Sequence, residues 1–237
     1  MNLQAVKNEF LGGWKPFEVA WLSLFLIAQI VIYIQNPDSI LGMISGISGI
    51  SGILCVVFVS KGKVSNYFFG LIFAYTYFYV AWQANYLGEM NTVLYVYIPA
   101  QFIGYFLWRE NLQKGSEGAE SVIAKSLTLK GWAIVLGTIT IGTLLFVQAL
   151  NAAGGSSTGL DGLTTVIVVV AQLLMILRYR EQWLLWIALN VISIVLWTQA
   201  KEGSLAMVTM YSAYLLNSLY GYYNWTKLEK AHRQSVQ

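Results

Sequence analysis

Long stretches without Asp, Glu, Lys or Arg constrain this chain more than any other feature of its sequence. Examples run from Val19 to Pro37, from Met90 to Trp108 and from Gly131 to Leu160. A helix needs about 20 apolar residues to cross the hydrocarbon core of a bilayer. Charged residues make up only 11% of the chain, whereas a soluble domain carries about 25%. The chain is therefore predicted to be an all-α integral membrane protein.

Eight transmembrane helices are predicted from these stretches, within a single membrane domain. A short helix at the membrane surface is predicted before Pro16, because Leu3, Val6 and Phe10 fall on one helical face. The longest polar segment, Arg109–Lys130, separates the fourth transmembrane helix from the fifth. The predicted spans are Glu18–Tyr33, Ile40–Val59, Asn66–Asn85, Asn91–Trp108, Gly131–Ala149, Leu160–Leu177, Trp183–Ala200 and Ser204–Trp225.

The positions of the basic residues predict the orientation of these helices. Of the 14 Lys and Arg residues, all except Lys201 fall in segments on one predicted side of the membrane. Lys and Arg accumulate on the cytoplasmic side of membrane proteins. Both termini are therefore predicted to be cytoplasmic. The net charge of +3 follows from this topology, so no nucleic-acid partner is expected.

The sequence also contains an internal repeat. The segment Gly104–Trp108 matches Gly221–Trp225, and a further alignment places Phe68 on Trp183. Both groups of three helices begin on the same predicted side, so we predict parallel repeats around a linker helix, with the substrate between them. The predicted organisation is an N-terminal interfacial segment with an extra helix (1–37), a first three-helix repeat (38–110), a cytoplasmic loop with the linker helix (111–150), and a second three-helix repeat with a cytoplasmic tail (151–237).

The seventh predicted helix carries the clearest candidate site. Trp183, Trp186 and Asn190 follow at helical spacing and share one face of the helix. An amide buried in a membrane costs free energy unless it finds partners. Beside two indole rings, it is suited to a planar and partly polar ligand. The alternative for the tryptophans is an aromatic belt at the membrane interface, which fits Trp183 better than Trp186.

Further polar residues are predicted to lie at comparable depth. Gln101 occupies the fourth predicted helix, and Tyr214 and Asn217 occupy the eighth. We predict that these three side chains complete the substrate site. Hydrogen bonding between helices is the alternative explanation for each of them taken alone.

Charged groups are absent from the middle of the predicted spans. Proton-coupled carriers usually need a titratable group at that depth. The sequence offers no assembled nucleophile and base, and its one Cys and one His provide no zinc site. We therefore predict no enzyme, no cofactor and no metal. The remaining function is passive passage of a small molecule, which includes a planar cation because aromatic faces attract cations.

The chain resembles the PnuC family of bacterial vitamin B3 transporters. The resemblance rests on Trp183-x-x-Trp186-x-x-x-Asn190, which matches the family motif, and on the length and the three-one-three layout. It implies an architecture like that of the SWEET sugar carriers and a location in the bacterial inner membrane. It also implies facilitated diffusion of nicotinamide riboside, which a cytoplasmic kinase phosphorylates and traps.

We therefore expect a uniporter with an alternating-access cycle, in contact with membrane lipid and linked functionally to a nicotinamide riboside kinase. Trp186 would stack on the substrate, and Asn190 and Gln101 would hold its polar groups. Two alternatives remain open. One is transport of another vitamin, such as thiamine or riboflavin, and the other is a membrane sensor that binds its ligand without moving it. The sequence leaves the oligomeric state open.

Overall fold

The protein is predominantly helical in the computed structural model, which describes residues 3–34, 40–83, 85, 87–114, 120–152, 159–198 and 204–236. A five-residue π-helical segment, Val93–Tyr97, lies within the fourth predicted span. The α-helices are α1 (Leu3–Leu11), α2 (Pro16–Ile34), α3 (Ile40–Ser60), α4 (Asn66–Gln83), α5 (Leu87–Thr92), α6 (Ile98–Arg109), α7 (Leu129–Ala152), α8 (Gly159–Ile176), α9 (Gln182–Thr198) and α10 (Ser204–Val236).

Each predicted span falls on helical structure, and the predicted N-terminal helix is confirmed as α1. The fourth span is composite, because it combines α5, the π-helical segment and α6. The eighth continues past its predicted end at Trp225 as far as Val236. The predicted end of the seventh span, Ala200, lies outside the described residues.

The polar segment between α6 and α7 contains structure that the all-α prediction missed. Strands β1 (Leu112–Lys114) and β2 (Glu120–Val122) pair antiparallel, with Leu112 opposite Val122. The N–H of Val122 donates a 2.8 Å hydrogen bond to the carbonyl of Gly62. This hairpin therefore fastens the polar segment to the turn between α3 and α4. Strands of three residues are too short to show an alternating pattern in the sequence.

Apolar side chains cover much of the helical surface. Among the described residues, α3 and α7 have both the length and the apolar composition to cross a membrane, and parts of α2, α8 and α9 are apolar but shorter. Val135 is the buried residue of α7, while Ile134, Ile141 and Leu145 on the same helix are largely exposed. Exposed apolar surface of this extent is unusual for a soluble monomer and fits contact with lipid.

The chain divides into two compact units, residues 1–123 and 124–237. In the first unit, α2 packs on α3, α3 on α4, and α4 on α6. Glycines allow close approach there, because Gly49 faces the side chain of Gln29 and Gly52 faces the ring of Phe73. The small residues of α3 therefore serve packing against helices on two sides.

A buried ion pair holds the N-terminal helices against the end of α3. Lys61, which directly follows α3, pairs with Glu18 of α2, and both side chains are buried. The Lys61 ammonium also donates a 2.7 Å hydrogen bond to the carbonyl of Gly13 and lies 4.6 Å from the ring centroid of Trp14. All of these partners precede α3 in the chain, so Lys61 alone connects the end of α3 to the N-terminal segment.

In the second unit, α7 packs on α8, α8 on α9, and α9 on α10. Its apolar core includes Val135, Ile167, Ala171 and Leu189. The predicted linker helix is thus packed with the helices that follow it. This arrangement positions the polar face of α9 against α10.

Candidate substrate-binding site

A chain of hydrogen bonds joins α9 to α10 at the predicted site. Asn190 is 7% exposed, and its Nδ2 donates to Oγ of Ser218 at 3.2 Å. The Ser218 hydroxyl donates in turn to the backbone carbonyl of Tyr214 at 2.8 Å. These bonds orient the Asn190 amide. Its Oδ1 is a hydrogen-bond acceptor.

Aromatic rings lie one helical turn from this pair of an amide and a hydroxyl. Trp186 precedes Asn190 on α9, is half-buried, and packs at the edge of the apolar core of its unit. Tyr214 precedes Ser218 on α10, is half-buried, and meets Tyr211 edge to face with ring centroids 6.5 Å apart. Both rings therefore retain accessible surface. Asn217, next to Ser218, is buried.

Trp183 has different surroundings from Trp186, although the sequence predicted one face for both. Its side chain is only 3% exposed and meets Trp225 edge to face with ring centroids 6.2 Å apart. A methyl group at Gly221 would lie 2.6 Å from Cε2 of Trp183. The structure thus places Trp183 in the contact between α9 and α10, where it packs the helix pair.

Gln101 belongs to the first unit and is buried against Gly70. Its Nε2 donates to the carbonyl of Tyr97 at 3.3 Å, and its Oε1 has no hydrogen-bond partner among the described residues. Of the predicted site residues, five therefore lie on one helix pair of the second unit, with Trp183, Trp186 and Asn190 on α9 and Tyr214 and Asn217 on α10. The role of Gln101 in binding stays a prediction.

Sequence reasoning missed Gln182, the residue that begins α9. Its side chain is wholly buried, and neither Oε1 nor Nε2 has a hydrogen-bond partner within the described part of the chain. Buried polar groups are usually paired, so such an orphan marks a position for a water or ligand. The structure shows the same arrangement at Asn66, which begins α4 and is also wholly buried.

The binding face itself is neutral, and charges gather at the start of α9. Arg180 donates to Glu181 at 3.0 Å and lies 3.7 Å from the Glu229 carboxylate. Burial alone would lower the pKa of Arg180. The hydrogen bond to Glu181 and the negative charge of Glu181 have a larger effect, so the pKa of Arg180 is raised. In the described residues, no group of three His, Cys, Asp or Glu side chains is placed to hold a metal ion. The face can bind by ring contact and by amide and hydroxyl hydrogen bonds.

The helical fold with lipid-compatible surfaces and a neutral, amide-bearing face places the chain among membrane transporters. A family model described as "Nicotinamide mononucleotide transporter" matches residues 42–227. The chain belongs to this family, the PnuC transporters, and the resemblance drawn from the sequence motif is thereby confirmed.

Named relatives match over almost the whole chain. A protein from Haemophilus influenzae, named nicotinamide riboside transporter PnuC, is 72% identical over 231 residues, which cover 97% of this chain and 99% of the relative. A protein of the same name from Neisseria mucosa is 47% identical, covering 98% and 89%. A solved structure described as "Crystal structure of the Vitamin B3 transporter PnuC" matches with a TM-score of 0.85 at 46% identity, covering 98% of this chain and 100% of that one.

Proposed function

We propose that the protein carries nicotinamide riboside across the bacterial inner membrane by facilitated diffusion, as a uniporter. The observation that carries this proposal is the buried Asn190 amide, oriented by Ser218 one turn from the half-open ring of Trp186. Relatives that cover nearly the whole chain bear the name nicotinamide riboside transporter. The site and the names therefore favour the same substrate.

The chemistry of the substrate suits this face. Nicotinamide riboside has a flat, cationic pyridinium ring, a carboxamide and ribose hydroxyls. Trp186 offers an indole face to the ring, and cation–π attraction contributes about 0.5–2 kcal/mol depending on exposure. Oδ1 of Asn190 can accept from the carboxamide or from a hydroxyl of the substrate. Tyr214 and Asn217 supply further polar groups on α10.

The neutrality of α9 supports a passive mechanism. The helix contains no Asp, Glu, Lys, Arg or His along its length, so the binding face offers no group to carry a coupled proton. We infer that the substrate site opens alternately to the two sides of the membrane. The concentration gradient of free substrate then sets the direction of net transport. Cytoplasmic phosphorylation by a kinase would then drive net uptake, because it removes the transported form.

The orientation of the chain follows from its basic residues. Lys61 and Lys63 follow α3, Arg178 and Arg180 precede α9, and Lys227 lies on the part of α10 that extends past the apolar stretch. Lys and Arg concentrate in cytoplasmic segments. We propose that these segments and both termini face the cytoplasm.

Uptake of labelled nicotinamide riboside into proteoliposomes tests the proposal. We expect equilibration in empty liposomes, and accumulation when a nicotinamide riboside kinase and ATP are enclosed. Accumulation without the kinase under an imposed ion gradient would show coupling and refute uniport. Binding without flux would favour a sensor. Competition by thiamine or riboflavin stronger than that by nicotinamide riboside would reassign the substrate.

A further inference from the structure

A second carboxamide lies on the same side of α9 as Trp186 and Asn190. Gln182 is the first residue of α9, and Trp186 and Asn190 follow it at intervals of four residues. Residues four apart lie one above the other on a helix, so an indole separates two carboxamides along this side of α9. At about 1.5 Å of rise per residue, Gln182 lies roughly 12 Å from Asn190 along the helix axis.

The Gln182 carboxamide is unpaired as well as wholly buried. Neither Oε1 nor Nε2 has a hydrogen-bond partner within the described part of the chain. Nε1 of Trp183, the next residue, is also buried and has no hydrogen-bond partner among the described residues. The first turn of α9 therefore holds buried donors from two side chains, and one amide oxygen, that the described protein groups do not use.

The two charged residues directly before Gln182 are engaged with other groups. Arg180 donates a 3.0 Å hydrogen bond to Oε1 of Glu181. The backbone N–H of Leu127 donates to Oε2 of the same carboxylate, also at 3.0 Å. These charges are therefore satisfied without the Gln182 carboxamide.

The first unit shows what a buried amide at the start of a helix does when it serves the local structure. Asn66 begins α4 and is also wholly buried. Its Nδ2 donates a 2.6 Å hydrogen bond to the carbonyl of Lys63 and so closes the turn before the helix. Gln182 makes no such bond to the turn before α9, so turn closure does not account for it.

Packing alone does not require an amide at position 182 either. Leucine fills a similar volume, and an apolar side chain avoids the cost of burying an unpaired polar group. Departures from local rules of this kind are expected at functional sites. A carboxamide offers two donors and an acceptor, which is the combination that binds another carboxamide or a pair of hydroxyls.

We propose that Gln182 is a second substrate-binding position on α9, at which nicotinamide riboside binds transiently between the Asn190 site and the cytoplasm. This inference rests on the proposed function, including its orientation and its alternating access. Gln182 lies at the end of α9 that follows the basic residues Arg178 and Arg180. Because its side chain is wholly buried in this structure, substrate reaches it only after that end opens. The substrate then exchanges hydrogen bonds to Asn190 for hydrogen bonds to Gln182, with the indole of Trp186 between them.

Uptake into proteoliposomes that contain Gln182→Leu tests this role. We expect the maximal rate of nicotinamide riboside uptake to fall about fivefold, because a neutral hydrogen bond is lost on the path. Equilibrium affinity should stay within about twofold of the parent, because Asn190 is distant and unchanged. The unfolding temperature should stay the same or rise, since an unpaired buried amide is removed.

Two further variants serve as controls. Gln182→Asn keeps a carboxamide at this position and should retain more of the uptake rate than Gln182→Leu. Gln29→Leu makes the same chemical change on α2 and should leave rate and affinity unchanged.

The parent protein separates the two ways in which the experiment can fail. An unchanged rate in Gln182→Leu, beside a parent that takes up nicotinamide riboside, would overturn this inference and leave the proposed function standing. A loss of affinity equal to the loss of rate would also overturn it, because Gln182 would then belong to the Asn190 site. A parent without uptake would refute the proposed function, and this inference with it.

Two substrate analogues identify the group that Gln182 binds. One lacks the carboxamide of the pyridinium ring, and the other lacks the 2′- and 3′-hydroxyls of the ribose. If Gln182→Leu does not slow the analogue without the carboxamide, the carboxamide is the partner, and the same result with the deoxy analogue identifies the hydroxyls. Equal slowing of all three substrates would overturn the proposal, because the substitution would then act on the opening of the carrier and not on contact with the substrate.

Discussion

The two units share one packing device but differ one helical turn further on. In the first, Tyr67 of α4 packs on Gly104 of α6 and meets Trp108 edge to face. In the second, Trp183 packs on Gly221 and meets Trp225. The counterpart of Trp183 is therefore the buried Tyr67, and the predicted alignment with Phe68, which is largely exposed, was wrong by one residue. Each unit therefore contains a helix pair in which an aromatic ring packs on a glycine and against a wholly buried tryptophan.

The next turn separates the units. Gly70 follows Tyr67 by three residues and is covered by the side chain of Gln101. Trp186 follows Trp183 by three residues, and its ring is half-buried. Seven residues after Tyr67, α4 has the wholly buried Ala74. Seven residues after Trp183, α9 has Asn190. The two units therefore share this packing contact, and among the described residues the face that combines an indole ring with a buried amide lies in the second unit.

Alanine at the shared glycines should produce the largest effect. Gly104→Ala and Gly221→Ala each place a methyl group inside a ring contact, and overpacking of this kind costs about 1–3 kcal/mol. Thermal unfolding in detergent measures the loss. Gly137→Ala is the control, because nothing lies within 4 Å of the added methyl. A loss in only one of the two glycine variants would break the comparison.

Asn190→Leu should reduce nicotinamide riboside affinity about tenfold, because the substrate loses a buried hydrogen-bond partner. Equilibrium binding to the purified protein gives the value. Gln29→Leu removes a carboxamide from α2 and should leave affinity unchanged. Unaltered affinity in the Asn190 variant, with normal folding, would remove Asn190 from the site.

The two tryptophans of α9 should respond differently to substitution. Trp186→Leu is expected to weaken binding several-fold, since a ring contact is worth about 0.5–1.5 kcal/mol, with little change in stability. Trp183→Phe should lower the unfolding temperature while affinity is kept. Paired binding and unfolding measurements on both variants separate stacking from packing. Equal loss of affinity in both would return Trp183 to the binding face.

Ser218→Ala should have the smallest effect. The substitution removes the acceptor that orients Asn190, and one neutral hydrogen bond contributes about 0.5–1.5 kcal/mol, so affinity should fall by a few-fold. Ser218→Thr retains the hydroxyl and should recover most of it. If the threonine variant binds as poorly as the alanine variant, crowding rather than the hydroxyl is responsible.

Much of this fold could be predicted because membranes impose simple rules. Charge-free runs located the helices, and the cost of burying an amide singled out Asn190. The difference between Trp183 and Trp186 could not be predicted, because it depends on Gly221 of a different helix. The extension of α10 past Trp225 had a local signal, since Glu229 and Arg233 pair one turn apart and support a helix outside the apolar stretch.

The ion pair between Lys61 and Glu18 constrains how this chain can change over evolution. Substituting Glu18 alone would strand a buried ammonium, and breaking a buried pair in this way costs about 3–5 kcal/mol. Substituting Lys61 alone would strand the Glu18 carboxylate in the same way. The two positions are therefore expected to change together or to stay as they are, so this contact ties the history of α2 to that of α3.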